Sequence, residues 1–177
     1  SATGAEVRLT ILHTTDLHGP LTNAVPEGLE LPTAGLLRIA TLVRRIRAEN
    51  PNTLLVDCGD TMQGTPDGRA TGGKLMREAM RRTGYDAWLP GNHEFDWGLA
   101  PLREALGDAP CPVLGALNIR ARPGTAHPLP ALRTHLVREV GGVRVLIAGL
   151  TSPGIPGWLL PQYLGDLAFD RSVPALE

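Results

Sequence analysis

Cysteine is nearly absent from this chain: Cys58 and Cys111 are the only two, and they form no Cys-x-x-Cys pair. A disulfide framework is therefore not expected, and each cysteine reads as a small core residue. Lysine is scarcer still, with Lys74 alone, and arginine supplies the rest of the positive charge. That bias fits genome composition or thermal adaptation rather than a function. No excess of either sign exists, since 17 basic and 18 acidic residues leave a formal net charge of -1. A global field able to attract nucleic acid or an anionic membrane is thus excluded, and any anion must be bound locally. Aromatic residues make up only 4% of the chain. No apolar run is long enough to span a bilayer, and no charged-then-apolar leader precedes Val7. Neither a Gly-x-Gly-x-x-Gly loop nor a Walker-type lysine follows a strand, which argues against a nucleotide-binding α/β domain without metal chemistry.

What is present is enough apolar sequence, 42% of 177 residues, to bury one sizeable core. Val7 to His13 reads as a buried strand that breaks into the polar loop Thr14 to Pro20. Residues 21 to 33 form a Pro- and Gly-containing excursion. A helix follows, with Thr33 as a candidate N-cap, an apolar stripe at Leu36, Ile39, Ala40, Val43 and Ile46, and a stop at Asn50-Pro51. Arg38, Arg44 and Arg45 lie off that stripe and read as a solvated face. Thr53 to Val56 is a second strand, running into the loop Asp57 to Gly64. A helix over Thr71 to Thr83, packing Leu75, Met76, Ala79 and Met80, is closed by Gly84. Asp86 to Leu89 is a third strand, followed at once by the polar run Pro90 to Gly98. Another helix through Leu99, Leu102, Ala105 and Leu106 and another strand, Val113 to Ala116, continue the alternation. Leu132 to Glu139 and Val143 to Leu150 then read as a β-hairpin joined at Gly141-Gly142, and the sequence after Thr151 reads as loop, reaching Glu177 in what could begin a helix. Strand-helix alternation with a late hairpin predicts an α/β sandwich with a mixed sheet.

In such sheets ligands bind beyond the carboxyl ends of the strands. Three successive strand ends here carry Asp16 and His18, then Asp60, then Asn92 and His93. Asp-x-His puts a hard oxygen and an imidazole on one loop, where both can reach one divalent ion, and a carboxylate from the next loop can bridge to a second. Two ions about 4 Å apart can hold a phosphate and generate a nucleophile from water near neutral pH. Each motif alone is an ordinary turn; the conjunction of three, each directly after an apolar strand, is not.

His13-Thr14-Thr15-Asp16-Leu17-His18-Gly19, Gly59-Asp60-Thr61-Met62-Gln63-Gly64 and Gly91-Asn92-His93-Glu94-Phe95-Asp96-Trp97-Gly98 resemble the first three motifs of the calcineurin-like metallophosphoesterases. The long third motif, and Gly149 to Pro156, are similar to the branch of 5′-nucleotidases, UDP-sugar hydrolases and 2′,3′-cyclic nucleotide phosphodiesterases. The resemblance implies a partial αββα sandwich and two divalent metal ions, with Zn, Mn, Fe, Co and Mg not distinguished. It implies Asp16 and His18 on the first ion, Asp60 bridging, Asn92 on the second, His93 facing the substrate as the catalytic group, and Asp96 orienting His93. His13 is expected in the core or hydrogen-bonded near the site, and Asp57 in support of loop geometry. Glu94 reads either as support for the site or as a helix-start acid, and His127 and His135 match no ligand position.

The family completes its site with later histidines, a single His and then Gly-His-x-His or Gly-His-x-Gln, whereas no histidine follows His135 here. The expectation is the N-terminal part of a catalytic domain, with the C-terminal substrate-binding domain absent and activity of this part low. Hydrolysis of a nucleotide or other small phosphate ester is the leading activity. Cyclic phosphodiesterase or UDP-sugar hydrolase activity stands beside it, and a non-catalytic phosphate- or partner-binding part is the alternative of another class. The resemblance implies a periplasmic, cell-surface or secreted location, and an open sheet edge is expected to favour association.

Overall fold

The first apolar run joins a ladder only from Thr10. In the computed structural model, which describes residues 6–22, 35–115 and 117–175, β1 is Thr10–Thr14, one residue longer than expected at its end and three shorter at its start. Helix α1, Leu36–Glu49, stops where Asn50-Pro51 removes the next backbone donor, as expected. Its inner side is Leu36 and Val43, and Arg38, Arg44 and Arg45 face outward. The proposed cap Thr33 lies outside the described residues. β2, Thr53–Asp57, pairs in parallel with β1 from Thr10↔Thr53 to Thr14↔Asp57. β3, Ala87–Trp88, continues the parallel ladder on the other side of β2. Isolated parallel bridges carry it on to Val113 and then from Leu114 to Arg133, in place of a regular strand over the described part of the run expected at Val113 to Ala116, Ala116 itself lying outside the described residues.

Between β2 and β3 the helix expected over Thr71 to Thr83 starts three residues later, and a short helix that was not expected precedes it. α2 is Pro66–Ala70, and α3 begins at Lys74 after Gly72-Gly73, both glycines having positive φ, and ends at Thr83. α3 buries Met76, Arg77, Met80 and Thr83 and packs Ala79 against the core, whereas Leu75, expected in the core, is exposed. α4, Leu99–Gly107, buries Leu102, Ala105 and Leu106. These helices cover the sheet face carrying Leu12, Leu55, Trp88 and Val113, and this is the main core. The opposite face is thinner, built from Ala87, Leu114 and Leu136 with Val56, Leu89 and Ile147 against them. Ile11 stands 62% exposed on that side, and its neighbour in alternation, His13, is also exposed. His13 is therefore no core residue: alternation along β1 sends it to the uncovered face.

The hairpin is as expected, with β5, His135–Val140, and β6, Val143–Ala148, paired antiparallel around Gly141-Gly142. The sequence beyond Thr151 is more ordered than expected. It forms two one-turn helices, α5 (Ile155–Trp158) and α6 (Pro161–Leu164), and a strand, Leu167–Phe169, that pairs antiparallel with a short strand at Ile119–Ala121. In chain order these strands are β7 and β4. Cys111 packs against the core, but Cys58, at the end of β2, is exposed.

Candidate metal centre

Each of the three parallel strands ends in a loop on the same side of the sheet, and backbone hydrogen bonds join the loops. The first hangs on the second: Asp16 N–H donates to the Gly59 carbonyl at 2.9 Å, His18 N–H to that of Asp60 at 2.9 Å, and Gly19 N–H to that of Thr61 at 3.0 Å. The third meets the second where Gly59 and Gly91 pass at close range. A β-carbon on Gly59 would lie 2.3 Å from the Gly91 nitrogen. The His93 N–H donates to Asp60 Oδ1 at 2.8 Å, so the third loop grips the side chain expected to bridge two ions.

Among the described residues only three that are not glycine have positive φ, and they are Asp16 (53°), His18 (52°) and Asp60 (57°). Such conformations cost on the order of 1–3 kcal/mol each and persist where the surroundings impose them, commonly at functional sites. Here they fall on three of the four residues assigned to the metals from sequence.

Ligand atoms from His18, Asp60 and His93 lie within 4.8 Å of one another. The two rings stand edge to face with centroids 5.1 Å apart. Both imidazoles are anchored through Nδ1: His18 to the Gln63 carbonyl at 3.0 Å, and His93 to Asp96 Oδ2 at 2.7 Å. An Nδ1–H donated to oxygen fixes the tautomer and leaves the Nε2 lone pair for the site. Asp16 lies beside His18 rather than within that group of three, its Oδ1 3.8 Å from His18 Nε2. Imidazole and carboxylate donors suit a divalent cation and do not single out one metal. Asn92 precedes the 3-10 turn His93–Phe95 and is half-buried. Asp96 closes that turn. The hydrogen bond to Asp96, more than any other influence, holds the His93 pKa above its ordinary value.

Beneath the loops lie two buried carboxylates. Asp57 accepts from Thr14 Oγ1 at 2.5 Å, from the Thr61 hydroxyl, and from Gly59 N–H at 3.0 Å, while Tyr85 OH sits 2.9 Å from Thr14 Oγ1. It supports the loops, as expected; burial raises its pKa to about 7 against those hydrogen bonds. Glu94, only 2% exposed, accepts four backbone N–H groups, from Asp60, Thr61, Met62 and Gly91. Burial pushes its carboxyl upward against those four bonds. Thr151 supports the third loop from the later sequence, donating its hydroxyl to the Pro90 carbonyl at 2.9 Å. His127 stays outside the site and accepts from Leu129 N–H, and His135 is exposed.

A family model described as calcineurin-like phosphoesterase matches residues 9–143. The chain belongs to the calcineurin-like phosphoesterase family. Within that family, this phosphoesterase chain is 38% identical over 176 residues to the 5′-nucleotidase of Mus musculus, covering 96% of its own length and 30% of that protein. It is 35% identical over 162 residues to the snake venom 5′-nucleotidase of Gloydius brevicauda, covering 88% of itself and 27% of that protein. The crystal structure of a 5′-nucleotidase precursor from Thermus thermophilus superposes with a TM-score of 0.79 at 33% identity, over 95% of this chain and 33% of that one. The phosphoesterase chain thus spans about 30% of the length of the curated relatives it matches.

Proposed function

We propose that this chain carries the first part of a two-metal site that hydrolyses nucleotides to nucleosides and phosphate. The observation behind the reading is the convergence of His18, Asp60 and His93 within 4.8 Å, with both imidazoles anchored through Nδ1. The 5′-nucleotidase relatives favour a nucleotide as substrate. The snake venom relative favours action outside the cytoplasm.

The roles follow position. Asp16 and His18 hold the first ion, Asp60 bridges, and Asn92 offers its amide oxygen to the second. When bound, the ions polarise the phosphoryl group and lower the pKa of water. His93 faces the ester, held in one tautomer by Asp96, and its imidazolium is suited to give a proton to the leaving oxygen. From this chain, Asp60 and Asn92 are the residues placed for the second ion.

Metal affinity is the direct test. Titration with Co2+ is expected to show a site that His18→Ala abolishes and His93→Ala leaves intact. Equal affinity in wild type and His18→Ala would remove the site from these loops, and loss in His93→Ala would make His93 a ligand. Phosphate release from AMP, 2′,3′-cyclic AMP and UDP-glucose, compared in one assay, separates the nucleotidase from its two neighbouring activities, with AMP expected to lead.

A further inference from the structure

Among the described residues Glu94 forms no ion pair, and its buried carboxylate is met by amides from two loops. Oε2 accepts from Asp60 N–H and Gly91 N–H, each at 2.8 Å, and Oε1 from Thr61 N–H at 2.8 Å and Met62 N–H at 3.2 Å. Three of these donors are consecutive. In a trans peptide the N–H and the preceding C=O point in opposite directions. Turning the N–H groups of residues 60, 61 and 62 toward Glu94 therefore turns the carbonyls of Gly59, Asp60 and Thr61 away from it. Those three carbonyls are the ones that accept the N–H groups of Asp16, His18 and Gly19.

We propose that Glu94 is the positioning residue of the metal centre, orienting three peptide planes of the second loop so that their far sides hang Asp16 and His18 in place. The inference rests on the metal-centre reading above. Glu94 is not one of the converging ligand residues, and it acts through Asp60, Thr61 and Met62, whose N–H groups it accepts. It also acts on Asp60 from a second direction. The preceding residue, His93, gives its N–H to Asp60 Oδ1, so the pair His93-Glu94 holds both the backbone and the side chain of the bridging carboxylate. All three loops then form one unit whose joint is a single carboxylate.

The isosteric change Glu94→Gln is a severe one on this account. Whichever way the amide turns, its NH2 faces two N–H donors, either those of Asp60 and Gly91 or those of Thr61 and Met62. Co2+ affinity in Glu94→Gln is expected to fall roughly 10–100-fold, the range for residues that orient ligands. The visible absorption of bound cobalt should weaken with it. Leu102→Ala, on the buried side of α4, serves as the stability control and is expected to keep wild-type affinity within about threefold despite the lost packing. If wild type binds cobalt and Glu94→Gln binds it equally well, the positioning role falls alone. If wild type binds none, the metal-centre reading falls and takes this inference with it.

Hydrogen exchange in the unaltered chain decides the matter should Glu94→Gln not fold. The amides of Asp16, His18, Gly19, Asp60, Thr61, Met62 and Gly91 are expected to share one opening free energy. Exchange of the first-loop amides at rates unrelated to those of residues 60 to 62 overturns the proposal.

Discussion

His93 Nδ1 and Asp96 Oδ2 stand 2.7 Å apart, three residues along one tight turn. The pair holds the His93 pKa above its ordinary value, so the imidazolium persists to higher pH than in a free histidine. Asp96→Asn removes the charge and is expected to lower the His93 pKa, read from the NMR titration of the ring Cε1 proton. An unchanged midpoint would mean that Asp96 does not set it. A histidine raised on folding contributes its full stability below its unfolded value of 6.5, and the contribution is lost as pH rises through the folded value. Asp96→Asn should flatten that loss.

Asp57 carries the opposite kind of group with the same sign. Burial raises its carboxyl from 3.8 to about 7 in the folded chain. Between those values the folded protein keeps a proton that the unfolded chain releases, so this contribution to stability is full below 3.8 and falls as pH rises to about 7. Each pKa unit corresponds to about 1.4 kcal/mol. Asp57→Asn fits the same contacts: its oxygen can accept from Gly59 and Thr61 while its NH2 donates to Thr14 Oγ1. Urea midpoints across this pH range should therefore decline less in Asp57→Asn than in wild type, and parallel declines would show that Asp57 ionises normally in the fold.

These two carboxylates mark the boundary of what the sequence discloses. Strand ends were legible because an apolar β-branched run that breaks into Asp, Gly and His is a local pattern, and Asp16, His18, Asp60, Asn92 and His93 lie in the loops that follow those strands, whereas Asp96 was reached only through the family resemblance. Glu94 resisted a single reading because three of its four partners lie more than thirty residues upstream and all four are backbone amides, which leave no mark on residue type. The break at Gly72-Gly73 was hidden because glycine is tolerated in a helix at a cost of about 1 kcal/mol, so the apolar pattern overrode it. His13 went astray through a strand assumed buried on both faces, when only one face of β1 is covered. The pairing of Ile119–Ala121 with Leu167–Phe169 joins runs of three residues, too short for alternation to show.

Gly59 tests the contact between the second and third loops. Its φ is 98°, and a β-carbon would lie 2.3 Å from Gly91 N, 2.6 Å from Gly91 Cα and 2.8 Å from the Leu89 carbonyl, all backbone atoms with nowhere to move. Gly59→Ala should combine left-handed strain of about 1–2 kcal/mol with overpacking of about 1–3 kcal/mol. Gly72, with φ 54° and nothing within 4 Å of a β-carbon, isolates the first cost. Urea denaturation is expected to rank Gly59→Ala well below Gly72→Ala, and equal losses would mean that the loops part easily.

β1 pairs only with β2 among the described residues, so its other edge offers unpaired backbone groups, and Ile11 presents 62% of its surface beside that edge. An apolar side chain next to an open edge favours pairing with another chain, and a charge placed there opposes it. The chain is therefore expected to self-associate with rising concentration, and Ile11→Lys to reduce this in sedimentation velocity. Because Ile11 is largely exposed, the same change should cost within about 0.5 kcal/mol of stability. Separating the two effects is what makes the test informative: a lysine that destabilises the chain without altering its sedimentation would place Ile11 in packing rather than at an open edge. Association that persists unchanged in Ile11→Lys would shift the contact to another apolar pair, Val137 and Leu146 on the hairpin, which are 45% and 65% exposed.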